Sequence, residues 1–424
     1  MSGPFSFFLM AQFFNIRSIK TLANLCLPNR YHLLVCIVLA TANYSTAQIN
    51  QSKRSNKHPQ TDIIEVLVKA LKIRIPQKAP DRKRVSFSII PVSTTSSGGD
   101  KILVSSINAA FTLGHIDSTN LSNIYFLPYT DFVENFGFGT KINIWTPMNT
   151  WNFPAEFRIN SATQYSYGLG TSSEQSDEFR LKFNNVKAYF SANRRISGHL
   201  YAGLGLNYDR YYKVSESGAP TDPSAFDNWG IGTGETSFST GVTLNLLFDD
   251  RRNSINPDQG HYFSFIYRVN PEYLANDSRW NSVYVDYREY KSFDSHKRKI
   301  FALWAFYWGS FGDVPYFNLP GTELEFGQRS GRGFAQGRFR GNHMLYLEGE
   351  YRFDISDNGL FGGVFFLNGQ SLSEPGSTQF KYIIPAAGFG ARIKFNKESN
   401  TNLTLDFGFG KNSFQFYIGL GEFF

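Results

Sequence analysis

After Ala47 this 424-residue sequence has no window of about 19 residues apolar enough to cross a bilayer as a helix, which excludes a helical membrane protein beyond that point. Cysteine is nearly missing too. The only two, Cys26 and Cys36, lie in the first 50 residues, so disulfides do not hold the remainder together. The seven histidines are dispersed, with no His-x-His or His-Glu-x-x-His spacing, so neither a metal site nor any other cofactor is expected. No Gly-x-Ser-x-Gly elbow occurs, and Gly331-x-Gly333 lacks the Lys-Ser or Lys-Thr pair of a phosphate loop. Ser, His and Asn brought together from neighbouring strands would leave no local motif, but the reading taken is that the chain is not an enzyme. The net charge of +7 is scattered along the chain without a zinc-finger or helix-turn-helix signature, which argues against a nucleic-acid partner.

What is abundant is aromatic residues, at 17%, and glycine, with 37. Lys20 and Arg30 precede an apolar run from Leu33 to Ala42, and Ser45-Thr46-Ala47 forms a small-x-small cleavage site. Residues 1–47 are therefore expected to be a signal peptide, with Met10 as an alternative start. The run is about ten residues, against the ~20 of a spanning helix. A lipid anchor on Cys36 is the alternative, disfavoured because Val35 is bulky. Residues 48–84 read as a polar linker followed by a short helix capped at Thr61-Asp62, with Ile64, Leu67, Val68 and Leu71 on one face. That helix would plug a lumen, lie at its rim or act as a spacer.

From 85 to 424 the chain repeats segments of roughly ten residues with period-two alternation. Leu200, Ala202, Leu204, Leu206 and Tyr208 share one face; Phe238, Val242, Leu244, Leu246 and Phe248 oppose Ser239, Thr243 and Asn245; Leu403, Leu405, Phe407 and Phe409 oppose Thr404, Asp406 and Gly408. The last strand should present Phe414, Phe416, Ile418, Leu420 and Phe424 outward. Strands are expected at 85–92, 101–112, 121–129, 137–146, 152–161, 178–191, 198–212, 236–249, 260–268, 280–292, 297–309, 343–355, 360–369, 383–395, 401–410 and 413–424. A soluble sandwich or propeller uses strands of about 5 to 6 residues, half this length. The fold class is therefore all-β: a transmembrane antiparallel β-barrel of about 16 strands with a short N-terminal helix, placed in bacterial outer-membrane lipid. Short turns near 357–359 and 411–412 are expected on the periplasmic side, and long loops over 213–235 and 310–342 outside.

Gly327 to Asn342 has five glycines and four arginines in sixteen positions. A guanidinium keeps its charge at every accessible pH, so in a partly dry lumen it needs a carboxylate opposite. Gly331 and Gly333 free the backbone around Arg332, and alternation in Met344–Phe353 puts Glu348, Glu350 and Arg352 on the lumenal side. An inward-folded loop follows, the alternative being that Arg332 is solvent-exposed. A second motif, Phe248 to Gly260, contains Asp249, Arg251, Asn253, Pro257 and Gly260 and reads as a structural turn rather than a ligand site.

The ordered pair of motifs resembles the BamA/TamA family of outer-membrane assembly barrels, the bacterial surface antigen family, over residues 85–424. The resemblance implies that Arg332, Gly333 and Phe334 lock against Glu350, while Leu367 stands where a second acid is expected, leaving one acid. It also implies that Phe424 is the aromatic strand signal, with Glu422 departing from the usual apolar residue. The implied function is insertion, assembly or translocation of proteins, or lipids, through a weak seam between the first strand, which holds Pro91, and the last. Thirty-seven residues before the first strand are too few for POTRA domains, so a shortened member with a periplasmic or lipoprotein partner is implied. The competing reading is a passive channel biased to anions by Lys141, Arg180, Lys182, Arg288, Arg392 and Lys394, tempered by Asp286, Glu348, Glu350 and Asp406. A third is a surface antigen without transport.

Overall fold

The computed structural model describes residues 60–72, 86–95, 101–115, 117–251, 253–274, 276–294, 298–324, 330–397 and 399–424, with backbone alone for 86–106. The expected leader with both cysteines lies outside the described residues, as do 327–329 of the Gly-rich loop.

Sixteen strands follow one another in chain order in a single sheet, every neighbour antiparallel. They are β1 (Ser86–Thr95), β2 (Lys101–Phe111), β3 (Ser122–Thr130), β4 (Phe136–Trp145), β5 (Trp151–Ser166), β6 (Phe179–Ser197), β7 (Leu200–Ser217) and β8 (Thr236–Asp249) in the first half. The second half holds β9 (Gly260–Asn270), β10 (Trp280–Ser292), β11 (Lys299–Gly312), β12 (His343–Asp354), β13 (Phe361–Leu372), β14 (Ile384–Asn396), β15 (Thr401–Gly410) and β16 (Ser413–Leu420). β1 and β16 come within 8 Å between Cα atoms, yet among the described residues no ladder joins them.

Alternation decides which way each side chain points. In β8, Val242, Leu244 and Leu246 are exposed on the outer surface while Thr243, Asn245 and Leu247 are buried inside, as period two requires. The outer surface is a band of such apolar residues, which in water would be an aggregation site and in lipid is the solvent-matched face.

The wall is uneven. β6 and β7 run 19 and 18 residues, while β3 and β16 have only 9 and 8. β5 and β7 extend past their expected ends because the pattern inverts there, opposite the start of β6; β6 itself extends at its other end, to Ser197. Phe179, Leu181 and Phe183 are buried inside and Arg180 and Lys182 stand outside, so a search for apolar-outward alternation stops too early. One turn was also placed at the wrong end: strands reverse at every connection, so 411–412, after β15, shares its end with the connections 218–235 after β7 and 313–342 after β11. The opposite end carries 112–121, 250–259 and 355–360.

Helix α1 (Ile63–Ala70) sits on the rim at that opposite end. Asp62 caps it, accepting from Glu65 N at 2.8 Å, and the other oxygen of Asp62 accepts from Lys397 N at 3.1 Å. Thr61 N donates to Asn358 O at 3.0 Å, and Lys397 Nζ reaches Glu65 at 2.7 Å. The helix is thus fastened to the β12–β13 and β14–β15 turns rather than inserted in the lumen.

Hydrogen bonds from Lys397 and then Lys69 hold the Glu65 carboxyl below its ordinary value of 4.5. A carboxylate with a depressed folded pKa stabilises above its unfolded value and loses that contribution as pH falls through the folded one. The protection factors of amides 63–71, each referred to the intrinsic exchange rate at the same pH, should therefore be lower below about pH 4 than at neutral pH. Asp62→Ala should do the same at neutral pH, costing ~1 kcal/mol. Hydrogen exchange on detergent-solubilised protein measures both, and unchanged protection in Asp62→Ala would show that the cap does not fasten the helix.

Candidate functional site

In its described residues, 313–324 and 330–342, the connection after β11 turns into the barrel and packs there in two layers. In the upper layer Val314, Tyr316, Phe317 and Leu319 pack against Phe179, Leu181, Phe183 and Tyr211 of the tall β6–β7 wall. Phe317 stacks on Tyr211 with ring centres 4.3 Å apart. This burial explains why the wall turns apolar inward there. It also traps Arg340, which is fully buried beside the Tyr316 ring and donates to Tyr316 O at 2.7 Å. Burial draws this guanidinium below its ordinary range.

The lower layer is built around Arg332. Gly331 and Gly333 have φ of +71° and +110°, which side chains rarely adopt. The loop backbone also lies directly on β15, where a Cβ at Gly408 would come 2.6 Å from Gly333 N. Asn368 on β13 donates to Arg332 O at 2.9 Å, and Tyr417 on β16 accepts from Gly333 N at 3.1 Å. Phe334 is buried against Phe339, with rings 5.5 Å apart.

So held, the Arg332 guanidinium is fully buried between the Phe366 and Phe423 rings, at 3.7 and 4.1 Å. Nη1 donates to Asp406 at 2.8 Å, and Nη2 meets both Glu348 and Glu350. The lock therefore has three acids, not one. Leu367 is 63% exposed on the outer surface, so no residue there could reach the loop. Asp406 comes from β15 instead. Alternation places Asp406 inside, but only the closed sheet brings β12 and β15 onto the same loop.

The network continues. Arg352 Nε donates to Glu350 at 2.6 Å, Arg392 pairs with Asp406, and Arg392 Nε donates to Glu422 at 2.8 Å. Four buried carboxylates thus share three guanidinium groups across β12, β14, β15, the loop and the segment after β16. Glu422, out of place as an apolar strand residue, is the partner of two arginines. Phe424 does not point outward either. β16 stops at Leu420, Gly421 takes φ +84°, and Phe424 is buried in the lumen 5.3 Å from Trp304, its main-chain oxygen accepting from Arg352 at 3.1 Å.

In the second motif Asp249 accepts from Arg251 Nε and Nη2, both at 2.9 Å, and Arg251 lies over Tyr262 at 4.4 Å. Gly260 has φ +108°, Pro257 is buried, and Asn253 Oδ1 accepts from Ile255 N at 2.8 Å. Between this turn and the loop lies a chamber of about 490 Å³, lined by Arg158, Lys187, Tyr189, Arg268 and Arg288 among others. Its arginines are matched, while Lys187 shares Asp209 with Arg268. Glu156–Arg158, Asp286–Arg288 and Glu350–Arg352 are each an acid and an arginine two residues apart on one strand face, and Asp249–Arg251 repeats the spacing where β8 runs into its turn. That repeated acid-x-Arg pattern is the sequence signal for the lumen. Of the residues expected to attract anions, Arg288 and Arg392 are paired and Arg180 and Lys182 stand outside, Lys182 bound to Glu134 at 2.6 Å.

Removing one partner of a buried ion pair leaves the others uncompensated, at roughly 3–5 kcal/mol. Arg332→Ala should therefore lower the temperature at which the folded barrel loses its compact gel mobility. Arg338→Ala should move it much less, at a cost of ~1 kcal/mol, since among the described residues Arg338 has no acid partner and makes only hydrogen bonds to Ser173 and contacts with the Tyr167 and Phe339 rings. Equal shifts would show that Arg332 is not the lock.

No protein-family model matches this sequence, and no curated protein does. Solved structures do. BamA from Haemophilus ducreyi lacking POTRA domains 1–3 matches 80% of this chain and 70% of its own at 13% identity, with a TM-score of 0.51. CdiB from Escherichia coli matches 89% and 73% at 10% identity, also with a TM-score of 0.51. With sixteen strands, an inward loop and a seam without a ladder already in view, the likeness shows the fold: this chain is a BamA-like transmembrane β-barrel.

Proposed function

We propose that this chain works in the bacterial outer membrane as an assembly or translocation barrel, passing protein or lipid clients by parting the β1–β16 seam. The observation that carries this reading is the missing ladder: among the described residues, fifteen neighbouring strand pairs are hydrogen-bonded and the sixteenth junction is not. Backbone amides in hydrocarbon cost several kcal/mol each when unsatisfied, so a junction left open is a site poised for exchange with another strand. The wall is also lowest there. Eight residues of β16 at ~3.4 Å each, tilted ~40°, span roughly 20 Å, less than the ~25 Å apolar band of such barrels.

A partner supplying the periplasmic function, a soluble protein or a lipoprotein, belongs to this proposal. α1 marks where the chain leaves the barrel, at the rim below β12–β15. The passive-channel reading draws less support, because the described residues of the 313–342 connection occupy part of the lumen and the chamber's arginines are matched by acids.

In planar bilayers the purified protein should give small, flickering currents that grow several-fold when residues 327–342 are deleted. A large, steady, anion-selective open state in the intact chain would overturn the assembly reading in favour of the channel.

A further inference from the structure

The β8–β9 turn, 250–259, starts from the wall opposite the seam in a sixteen-strand cylinder, yet its tip ends at the seam. The Asp249–Arg251 pair fixes its base. Asn253 Oδ1 shapes its tip by accepting from Ile255 N and Asn256 N, at 2.8 and 3.3 Å.

From that tip three bonds reach the β14–β15 turn: Asn253 Nδ2 to Ser399 O at 2.9 Å, Asn256 Nδ2 to Asn400 O at 3.2 Å, and Asn400 Nδ2 back to Asn256 O at 3.3 Å. A fourth comes from the segment after β16, where Glu422 N donates to Ile255 O at 2.9 Å. Ile255 is buried and packs on Gly421, where an added Cβ would lie 3.1 Å from Ile255 Cγ2. On the other flank of the seam, Asn123 Nδ2 of β3 donates to Ser254 Oγ at 3.2 Å. One turn therefore holds both sides of a junction that has no ladder of its own.

We propose that the β8–β9 turn is a strap across the seam: it travels with the β14–β16 flank and closes on β3 through Ser254, and the seam parts when that contact opens. This rests on the reading of a parting seam. The bonding chemistry suits a reversible catch. The strap's cross-contacts are neutral hydrogen bonds, each exchangeable for water at a small net cost, whereas the Arg332 network above is charge-assisted. The strap is the part that yields first.

Hydrogen exchange of β16 amides in the full chain, reconstituted in lipid, tests it, with β6 and β7 amides as internal controls. N253A/N256A removes two of the four bonds that tie the strap to the β14–β16 flank and should speed β16 exchange about 25-fold, each lost bond being worth about a factor of five. N123C/S254C, oxidised, pins the strap to β3 and should slow it; reductant should restore it. The oxidised arm removes no large contact, so it keeps the test decisive should N253A/N256A fold poorly. If wild-type β16 exchanges faster than β6 and β7 but neither variant changes it, the strap is wrong and the parting seam stands. If β16 exchanges no faster than the controls in any of these chains, both are wrong.

Discussion

Every backbone N–H and C=O at membrane depth must find a partner within the protein, because hydrocarbon offers none. That single constraint makes sixteen extended segments line up in chain order and makes their flanks curl toward each other. It also makes the one junction without a ladder the most consequential place in the molecule. β16 is short, is followed by Gly421 at positive φ, and gives up its register after Leu420 so that Glu422 and Phe424 can enter the lumen. Past Leu420 the chain's last residues are committed to the lumen rather than to a ladder with β1.

What draws it inward is charge. Arg332, Arg352 and Arg392 are buried together with Glu348, Glu350, Asp406 and Glu422. Replacing such a cluster wholesale with apolar residues need not destabilise a fold, but removing one member does. The cluster therefore acts less as glue than as a demand for simultaneous placement. The loop, β12, β14, β15 and the segment after β16 satisfy it together or not at all. Phe366 and Phe423 on the two faces of the Arg332 guanidinium keep water from substituting for a missing acid.

The uneven wall follows from the same economy of partners. On the β5–β7 side the strands rise beyond the lipid band, and their inner face turns apolar to receive Val314, Tyr316, Phe317 and Leu319. On the seam side no such inner packing extends β3 or β16. The tall wall holds the plug, and the low wall borders the opening.

Alternation along Leu200–Tyr208, Phe238–Phe248 and Leu403–Phe409 was enough to determine the class and the side that each of those residues faces, because side-chain direction in a strand depends only on parity; it failed where the pattern inverts, at Arg180 and Lys182, and past the end of β16, at Phe424. Glu350, and Arg332 between its glycines, were legible for the same local reasons. The partners of Asp406 and Glu422, and the contacts of Asn253 to Ser399, Asn256 to Asn400 and Ile255 to Glu422, were not, since most join positions about 70 to 170 residues apart by way of a cylinder whose circumference no periodicity encodes. Local pattern determined the sheet and its two faces; only closure decided which buried charges meet, that the chain's last residues turn inward, and that the β8–β9 turn reaches the seam.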